Sequence, residues 1–262
     1  MLSRASTDRL GIRLLREVVE EQDIIDLNEY RHTFFCSYEK IVSSLRLAGF
    51  QVAGRPAKST KSIVAKLKRE SIRLSQMQDM AGCRIVVDDE VSQESAINFI
   101  ISSFGEARVV DRRERASNGY RAVHAVVQLA SRHVEIQVRT ELQHLWAEYS
   151  EKLADMLGPE IKYGHGNPEA IELLSQLSQF VRNYDHMQSR LSKLENDARE
   201  NTCTRMKLEP FLTKKQRREL NFVDKKALAA NKMAKSSLAD LRHKIVSFFQ
   251  GDQNANLAEK KK

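Results

Sequence analysis

The sequence predicts an α+β fold in which a mixed β-sheet is flanked by helices and followed by a long C-terminal helical hairpin. Three observations carry that expectation. Between residues 59 and 140 the hydrophobic periodicity switches in the order helix, strand, helix, three strands. Thr140 and Gln143 then form a capping box that opens another helix. From Pro168 onward apolar residues recur at steps of three and four, the pattern of a helix packed along its length against another.

Taken in order, residues 7–48 read as helical with a break near Asp26. Ser59 is placed to cap a helix reaching residue 71, and residues 82–87 (GCRIVV) form a short apolar strand. A helix over 92–104 follows, then strands over 107–111, 120–129 and 133–138. Leu142, Leu145, Trp146, Tyr149 and Leu153 form the apolar stripe of the helix after Thr140, which Gly158-Pro159 ends. The long helix carries a seam of Ala170, Leu173, Leu177, Phe180, Tyr184, Met187, Leu191 and Leu194. Leu220, Val223, Ala227, Ala230, Ala234, Leu238, Leu241, Ile245 and Phe248 keep nearly the same rhythm and are its expected partner, as an antiparallel hairpin first and a dimer seam second. The stretch 201–209 is the expected domain boundary, giving segments 1–160, 167–198 and 199–262.

The chain has 262 residues, 41% of them hydrophobic, which is enough for one large domain or two small ones and too apolar for a mostly disordered chain. Its formal charge of +8 is uneven: residues 199–262 carry +9 and residues 1–198 carry −1. That basic end suits nucleic acid, an acidic partner or a membrane surface, and equally a solvated helical face. Cys36, Cys83 and Cys203 are far apart and outside any Cys/His cluster, so neither a disulfide framework nor a zinc site is expected. No apolar run approaches the roughly 20 residues that cross a bilayer, and the first residues lack the apolar core of a secretory signal; a reducing cytoplasmic location without membrane association is expected.

The strand HVEIQVR alternates Val134, Ile136 and Val138 with Glu135, Gln137 and Arg139, setting a carboxylate, an amide and a guanidinium in a row on one face. An ordinary half-exposed strand would read the same way. In NGYRAVH, strand geometry puts Tyr120 and His124 on one face after an Asn118-Gly119 turn, as a base-stacking platform or as a core pair. Lys58, Ser62, Lys66, Arg69 and Arg73 follow helical spacing near a helix N-terminus, suiting a triphosphate or a solvated basic face. Asp79 stands ahead of the strand bearing Arg84, where a Mg²⁺ ligand or a turn residue belongs. His144 and Glu148 are one helical turn apart.

With Lys58…Ser62…Lys66, then DMAGCRIV, NGYRAVH and VEIQVRTELQHLWAE, residues 54–155 resemble the synthetase domain of the RelA/SpoT family of alarmone synthetases. The resemblance implies a nucleotidyltransferase-like sheet and transfer of the β,γ-pyrophosphoryl group of ATP to the 3′-hydroxyl of GDP or GTP, releasing AMP. It implies Mg²⁺ at Asp79 and Glu135, with Glu135 also activating the hydroxyl. Arg55, Lys58, Ser62, Lys66, Arg69 and Arg84 would bind ATP. Tyr120, Asn118, His124 and Arg121 would bind the acceptor, and Gln137, Arg139, His144 and Glu148 would shape the pocket.

The chain departs from the family pattern in two places. The family's Pro-Lys before Asn-Gly-Tyr is replaced by a loop over 112–117, and GRPAK carries one more residue than the commoner GRPK. No His-Asp hydrolase signature appears. Some short relatives are toxins that pyrophosphorylate the 3′ end of tRNA, so the alternatives are that reaction and, from another class, a non-catalytic RNA- or protein-binding module. The expected partners are ATP, the acceptor, a second copy through the C-terminal helices, and an acidic antitoxin or other regulator.

Overall fold

A computed structural model describes residues 3–208 and 213–259; the side chains of 198, 199, 201–208, 220 and 251–259 lie outside that description. The elements are α1 (Arg4–Arg13), α2 (Glu21–His32), α3 (Phe35–Leu47), β1 (Val52–Arg55), α4 (Thr60–Glu70), β2 (Ala81–Val87), α5 (Glu90–Phe104), β3 (Ala107–Asp111), β4 (Val123–Leu129), β5 (Arg132–Thr140), α6 (Glu141–Leu157), α7 (Pro168–Leu208) and α8 (Lys214–Glu259). Short 3-10 turns stand at Leu74–Gln76 and Pro159–Tyr163. The strands form one mixed sheet in the order β1-β2-β5-β4-β3, as expected of an α+β fold. Among the described residues no helix is long and apolar enough to cross a membrane.

The chain divides into two compact units that interleave in sequence. The first comprises Met1–Val87, Gln93–Arg115 and Ala122–Arg139. Its core is the apolar face of the sheet, with Ile85, Ala125, Val127, Val134, Ile136 and Val138, packed by Leu27, Ile41, Leu45, Ile63 and Ile100 from the helices. The expected break near Asp26 is corrected: Asp26 lies inside α2, and the chain turns instead at 14–20 and 33–34. Arg13 explains this, because its guanidinium binds Asp23 and also Asp26 (2.6 Å), tying the end of α1 to the middle of α2. The strand expected from residue 120 begins at Val123. Free Cys83 is buried in this core, where burial pushes its thiol up to about 12, and Cys36 is exposed; the side chain of Cys203 is outside the described residues.

The second unit comprises Asp88–Ser92, Ala116–Arg121 and Thr140–Lys262. The capping box at Thr140 forms as expected, and Gly158 ends α6. Leu142, Trp146 and Tyr149 of α6 pack with Ile161, with Ala170, Leu174, Val181 and Tyr184 of α7, and with Phe249 of α8. Glu195 pairs with Lys235 at 2.6 Å while Phe249, further along α8, joins Val181 and Tyr184, so α7 and α8 run antiparallel as a hairpin. The expected seam is shifted, however. Phe180 is 58% and Leu194 61% exposed, whereas Leu174, Ser178, Val181 and Asp185 are buried. Apolar spacing does not mark this face, because two of its members, Ser178 and Asp185, are polar side chains whose hydrogen bonds are made inside. On α8, Leu238, Leu241 and Ile245 pack while Val223 is exposed; the side chain of Leu220 and the lysines 260–262 are outside the described residues.

Asp185 accepts from the Thr140 hydroxyl (3.2 Å) and from Gln143 Nε2 (2.9 Å), so α7 is fixed to the first turn of α6. Burial pushes the Asp185 carboxyl up to about 7, outweighing those hydrogen bonds, and the Glu90 charge adds to it. The folded chain therefore holds this proton to about pH 7, whereas an unfolded Asp releases it near 4, so stability falls as pH rises from about 4 to about 7. Asp185→Asn is expected to match the parent below pH 4 and to exceed it above pH 7 by on the order of 1–4 kcal/mol. Melting curves across that range that run parallel for the two proteins would sink this account.

Candidate active site

Ser59 caps α4 by accepting from the Ser62 N–H at 3.2 Å, and its hydroxyl also meets the Ser62 hydroxyl at 2.8 Å. Ile63 and Leu67 enter the core, which turns Lys66 outward along the same helix. The Lys58 N–H donates to the Met80 carbonyl at 2.8 Å, holding the segment before α4 beside the one before β2. Both ammonium groups then close on Asp79: Lys58 Nζ lies 2.7 Å from Oδ2 and Lys66 Nζ 3.0 Å from Oδ1. Arg55 Nη2 reaches the Asp79 carbonyl at 3.4 Å. Arg69 pairs with Glu70 at 2.8 Å, one step around the helix.

The row expected on β5 is present and linked. Glu135 Oε1 lies 2.8 Å from His124 Nδ1 across the β4–β5 pair, and Oε2 accepts from Gln137 Nε2 at 2.8 Å. Gln137 Oε1 in turn accepts from Arg139 Nη2 at 2.8 Å. Register explains the crossing contact: His124 stands opposite Gln137, so Glu135 is its diagonal neighbour on the same face. On β2, Gly82 and Arg84 alternate with buried Cys83 and Ile85. A Cβ at Gly82 would sit 2.8 Å from the Glu135 carbonyl oxygen, so only glycine lets β2 and β5 approach at the carboxylate.

Both carboxylates are held ionised. Burial pushes Asp79 up, but the hydrogen bonds and charges of Lys58 and Lys66 outweigh it and bring its pKa below the usual carboxylate value. Burial pushes Glu135 up as well, and here the His124 hydrogen bond and charge with the Gln137 amide bring it down. The charge of Asp79 opposes that fall, so the two acids stand close enough to sense each other. Among the described residues no three His, Cys, Asp or Glu side chains cluster as a complete metal cage.

In the second unit, Asn118 (φ 52°) and Gly119 (φ 85°) make a tight turn closed by paired N–H···O bonds between Ser117 and Tyr120 at 3.0 and 3.1 Å. Tyr120 therefore belongs to this turn and does not share a strand face with His124, which corrects the expected alternation. Its ring lies 6.5 Å from that of Trp146 at 53°. Arg121 is buried, with Nε donating to Ser178 Oγ at 3.0 Å. His144 and Glu148 meet at 3.3 Å on α6. The loop at 112–117 is anchored in the first unit by Arg113, which binds Asp111 (2.6 Å) and Glu94 (3.0 Å). No local pattern in the sequence marks Ser178 or the pairing of Asp79 by two lysines, and Trp146 stands out there only as a stripe residue.

Ionised acids braced by cations on a mixed sheet are what a phosphoryl-transfer domain requires. Residues 54–154 match the region found in RelA/SpoT proteins. It is 40% identical over 111 residues to an uncharacterized protein of Mycobacterium tuberculosis, an alignment covering 41% of each chain. It is 28% identical over 165 residues to a probable chloroplastic GTP diphosphokinase of Oryza sativa, covering 54% of this chain and 23% of that one. The chain thus spans well under half the length of these curated relatives. The small alarmone synthetase 1 of Bacillus subtilis bound to its product pppGpp is 28% identical with a TM-score of 0.50, covering 66% of this chain and 98% of that one. A second structure of that synthetase, at 24% identity and a TM-score of 0.51, covers 69% of this chain and all of its own length, and shares the fold.

Removing the charge of Asp79 leaves Lys58 and Lys66 converging without their shared counter-charge, with only Glu70 at 3.8 Å still beside Lys66. Asp79→Asn is expected to lower stability by about 1–3 kcal/mol, measured as a shifted urea midpoint, and adding Lys66→Met should recover part of the loss. An unchanged midpoint in Asp79→Asn would show that the pair contributes nothing to the fold.

Proposed function

We propose that the protein transfers the β,γ-pyrophosphoryl group of ATP to the 3′-hydroxyl of GDP or GTP, releasing AMP. The observation that carries this is the pair of ionised carboxylates: Asp79 under two ammonium groups, and Glu135 at the head of a hydrogen-bonded row. The product named for the Bacillus subtilis structure and the activity named for the rice relative support the same reading.

In this reaction the bond from the 3′ oxygen to the β-phosphorus forms as that phosphorus parts from the α-phosphate oxygen, and AMP leaves with the electron pair. Glu135 takes the hydroxyl proton. His124 and Gln137 hold the carboxylate in one orientation and keep it charged, ready to accept. Lys58 and Lys66, with Arg55, Arg69 and Arg84, supply the positive charge the triphosphate meets. In the second unit, Tyr120 stacks the acceptor base and Asn118 shapes the turn that presents it.

Mg²⁺ suits the donor set, because that ion takes one or two carboxylates and completes its shell with water and phosphate oxygens. Asp79 and Glu135 would hold it, and when bound it would neutralise phosphate charge. A second acceptor, the 3′ end of tRNA, is favoured by one observation: Lys214, Lys215, Arg217, Arg218, Lys225 and Lys226 are all exposed on α8, a surface for a polyanion.

The test offers ATP labelled at the γ-phosphate, with Mg²⁺, to GDP, GTP and deacylated tRNA in turn. Label in the guanosine nucleotides is the expected result, label only in tRNA would replace the first acceptor with the second, and no transfer to any of them would overturn the reading. Glu135→Gln should lower kcat by roughly 10²–10⁴-fold with the circular dichroism spectrum unchanged.

A further inference from the structure

The turn that presents Tyr120 is held from outside the RelA/SpoT region, which ends at residue 154. Gly119 lies against Trp146 so closely that a Cβ there would sit 2.6 Å from the indole ring. Trp146 is fixed in turn, its Nε1 donating to the Leu174 carbonyl of α7 at 2.8 Å. On the other side of the turn, Arg121 directs Nε to Ser178 Oγ at 3.0 Å and to the Ser178 carbonyl at 3.3 Å. Leu174 and Ser178 are one helical turn apart, so a single stretch of α7 grips the residues on either side of Tyr120. Gly119, Arg121, Trp146 and Ser178, with Gln143 and Val181, line one crevice.

A buried guanidinium is costly unless its donors are satisfied, and a hydroxyl on a helix face is a small, rigid acceptor. Ser178 has no role in the core as an apolar residue, yet it is buried. We infer that Ser178 is a positioning residue for the acceptor: through Arg121 it sets the orientation of the Asn118-Gly119-Tyr120 turn, and so the affinity for the acceptor base without affecting that for ATP. This rests on the proposed stacking role of Tyr120.

The chain has one tryptophan, and it is Trp146 beside Tyr120, so its fluorescence reports directly on the platform. The experiment titrates the full chain with GDP, and separately with tRNA, and measures steady-state KM for acceptor and for ATP in the parent, Ser178→Ala and Ser178→Thr. Ser178→Ala is expected to weaken acceptor binding and raise acceptor KM roughly 3- to 10-fold with ATP KM unchanged, less than the full loss of one charged hydrogen bond because the effect reaches the acceptor only through Arg121, whose Nε keeps the Ser178 carbonyl. Ser178→Thr, which keeps the hydroxyl, should restore the parent values. A Ser178→Ala protein that binds acceptor like the parent would overturn the inference alone. Equal rises in both KM values, or a loss of affinity tracking a fall in Tm that Ser178→Thr shares, would assign Ser178 a merely structural part and overturn it too. A parent protein whose tryptophan responds to neither acceptor, and which transfers no label, would overturn the proposed function and this inference together.

Discussion

The constraint on which the first unit depends is electrostatic: two carboxylates that sense each other, Glu135 on β5 and Asp79 in the turn before β2, must both stay charged although each is largely buried. Burial alone would raise both pKa values. The chain answers with different devices at each acid. Asp79 receives one ammonium per oxygen, from residues on either side of the α4 N-cap. Glu135 receives an imidazole and an amide. The backbone arrangement follows from this requirement. The Lys58–Met80 hydrogen bond brings the first two charges together, and glycine at position 82 lets β2 approach the Glu135 backbone. The fold core is thus common apolar sheet packing, while the site is set by a handful of contacts at the strand entrances.

What the sequence encodes locally, it encodes in its periodicity. Alternation on β5 put Glu135, Gln137 and Arg139 on one face, and the structure links them in that order. Helical spacing placed Lys66 on the outer side of α4. Alternation failed at Tyr120 because Asn118-Gly119 consumes that residue in a two-residue turn, so the strand period begins only at Val123. It also missed β1, since Val52–Arg55 is a four-residue edge strand with a glycine and almost no buried side chain to leave a pattern. The convergence of Lys58 and Lys66 on one carboxylate was invisible for another reason: it joins residues from 58 to 79 through a tertiary contact that no local rule encodes.

The seam of α7 shows the same limit in a helix. A search for apolar residues at heptad spacing selects Phe180 and Leu194, which face solvent, and passes over Ser178 and Asp185, which do not. Polar residues enter a core when their hydrogen bonds are completed there, and the partners here are Arg121, Thr140 and Gln143. The buried face of α7 is therefore specified by polar pairing as much as by hydrophobicity. Such pairing favours one register, because sliding the helix by a turn would break the bonds of Ser178 to Arg121 and of Asp185 to Thr140 and Gln143.

Net charge is a poor guide to where the candidate site lies in this chain. Residues 1–198 sum to −1, yet Lys58 and Lys66 carry the local positive charge at Asp79, because the field at a reacting group is dominated by charges a few ångströms away. The exposed lysines of α8 act differently. Solvent screens each of them within about 8–10 Å, so their effect is felt by a large polyanion that contacts several at once and hardly at all by a mononucleotide. If the acceptor is a free guanosine nucleotide, removing charge from α8 leaves its KM unmoved. If the acceptor is a tRNA, the same change weakens binding and flattens its salt dependence, so the two acceptors differ in which half of the chain's charge they use.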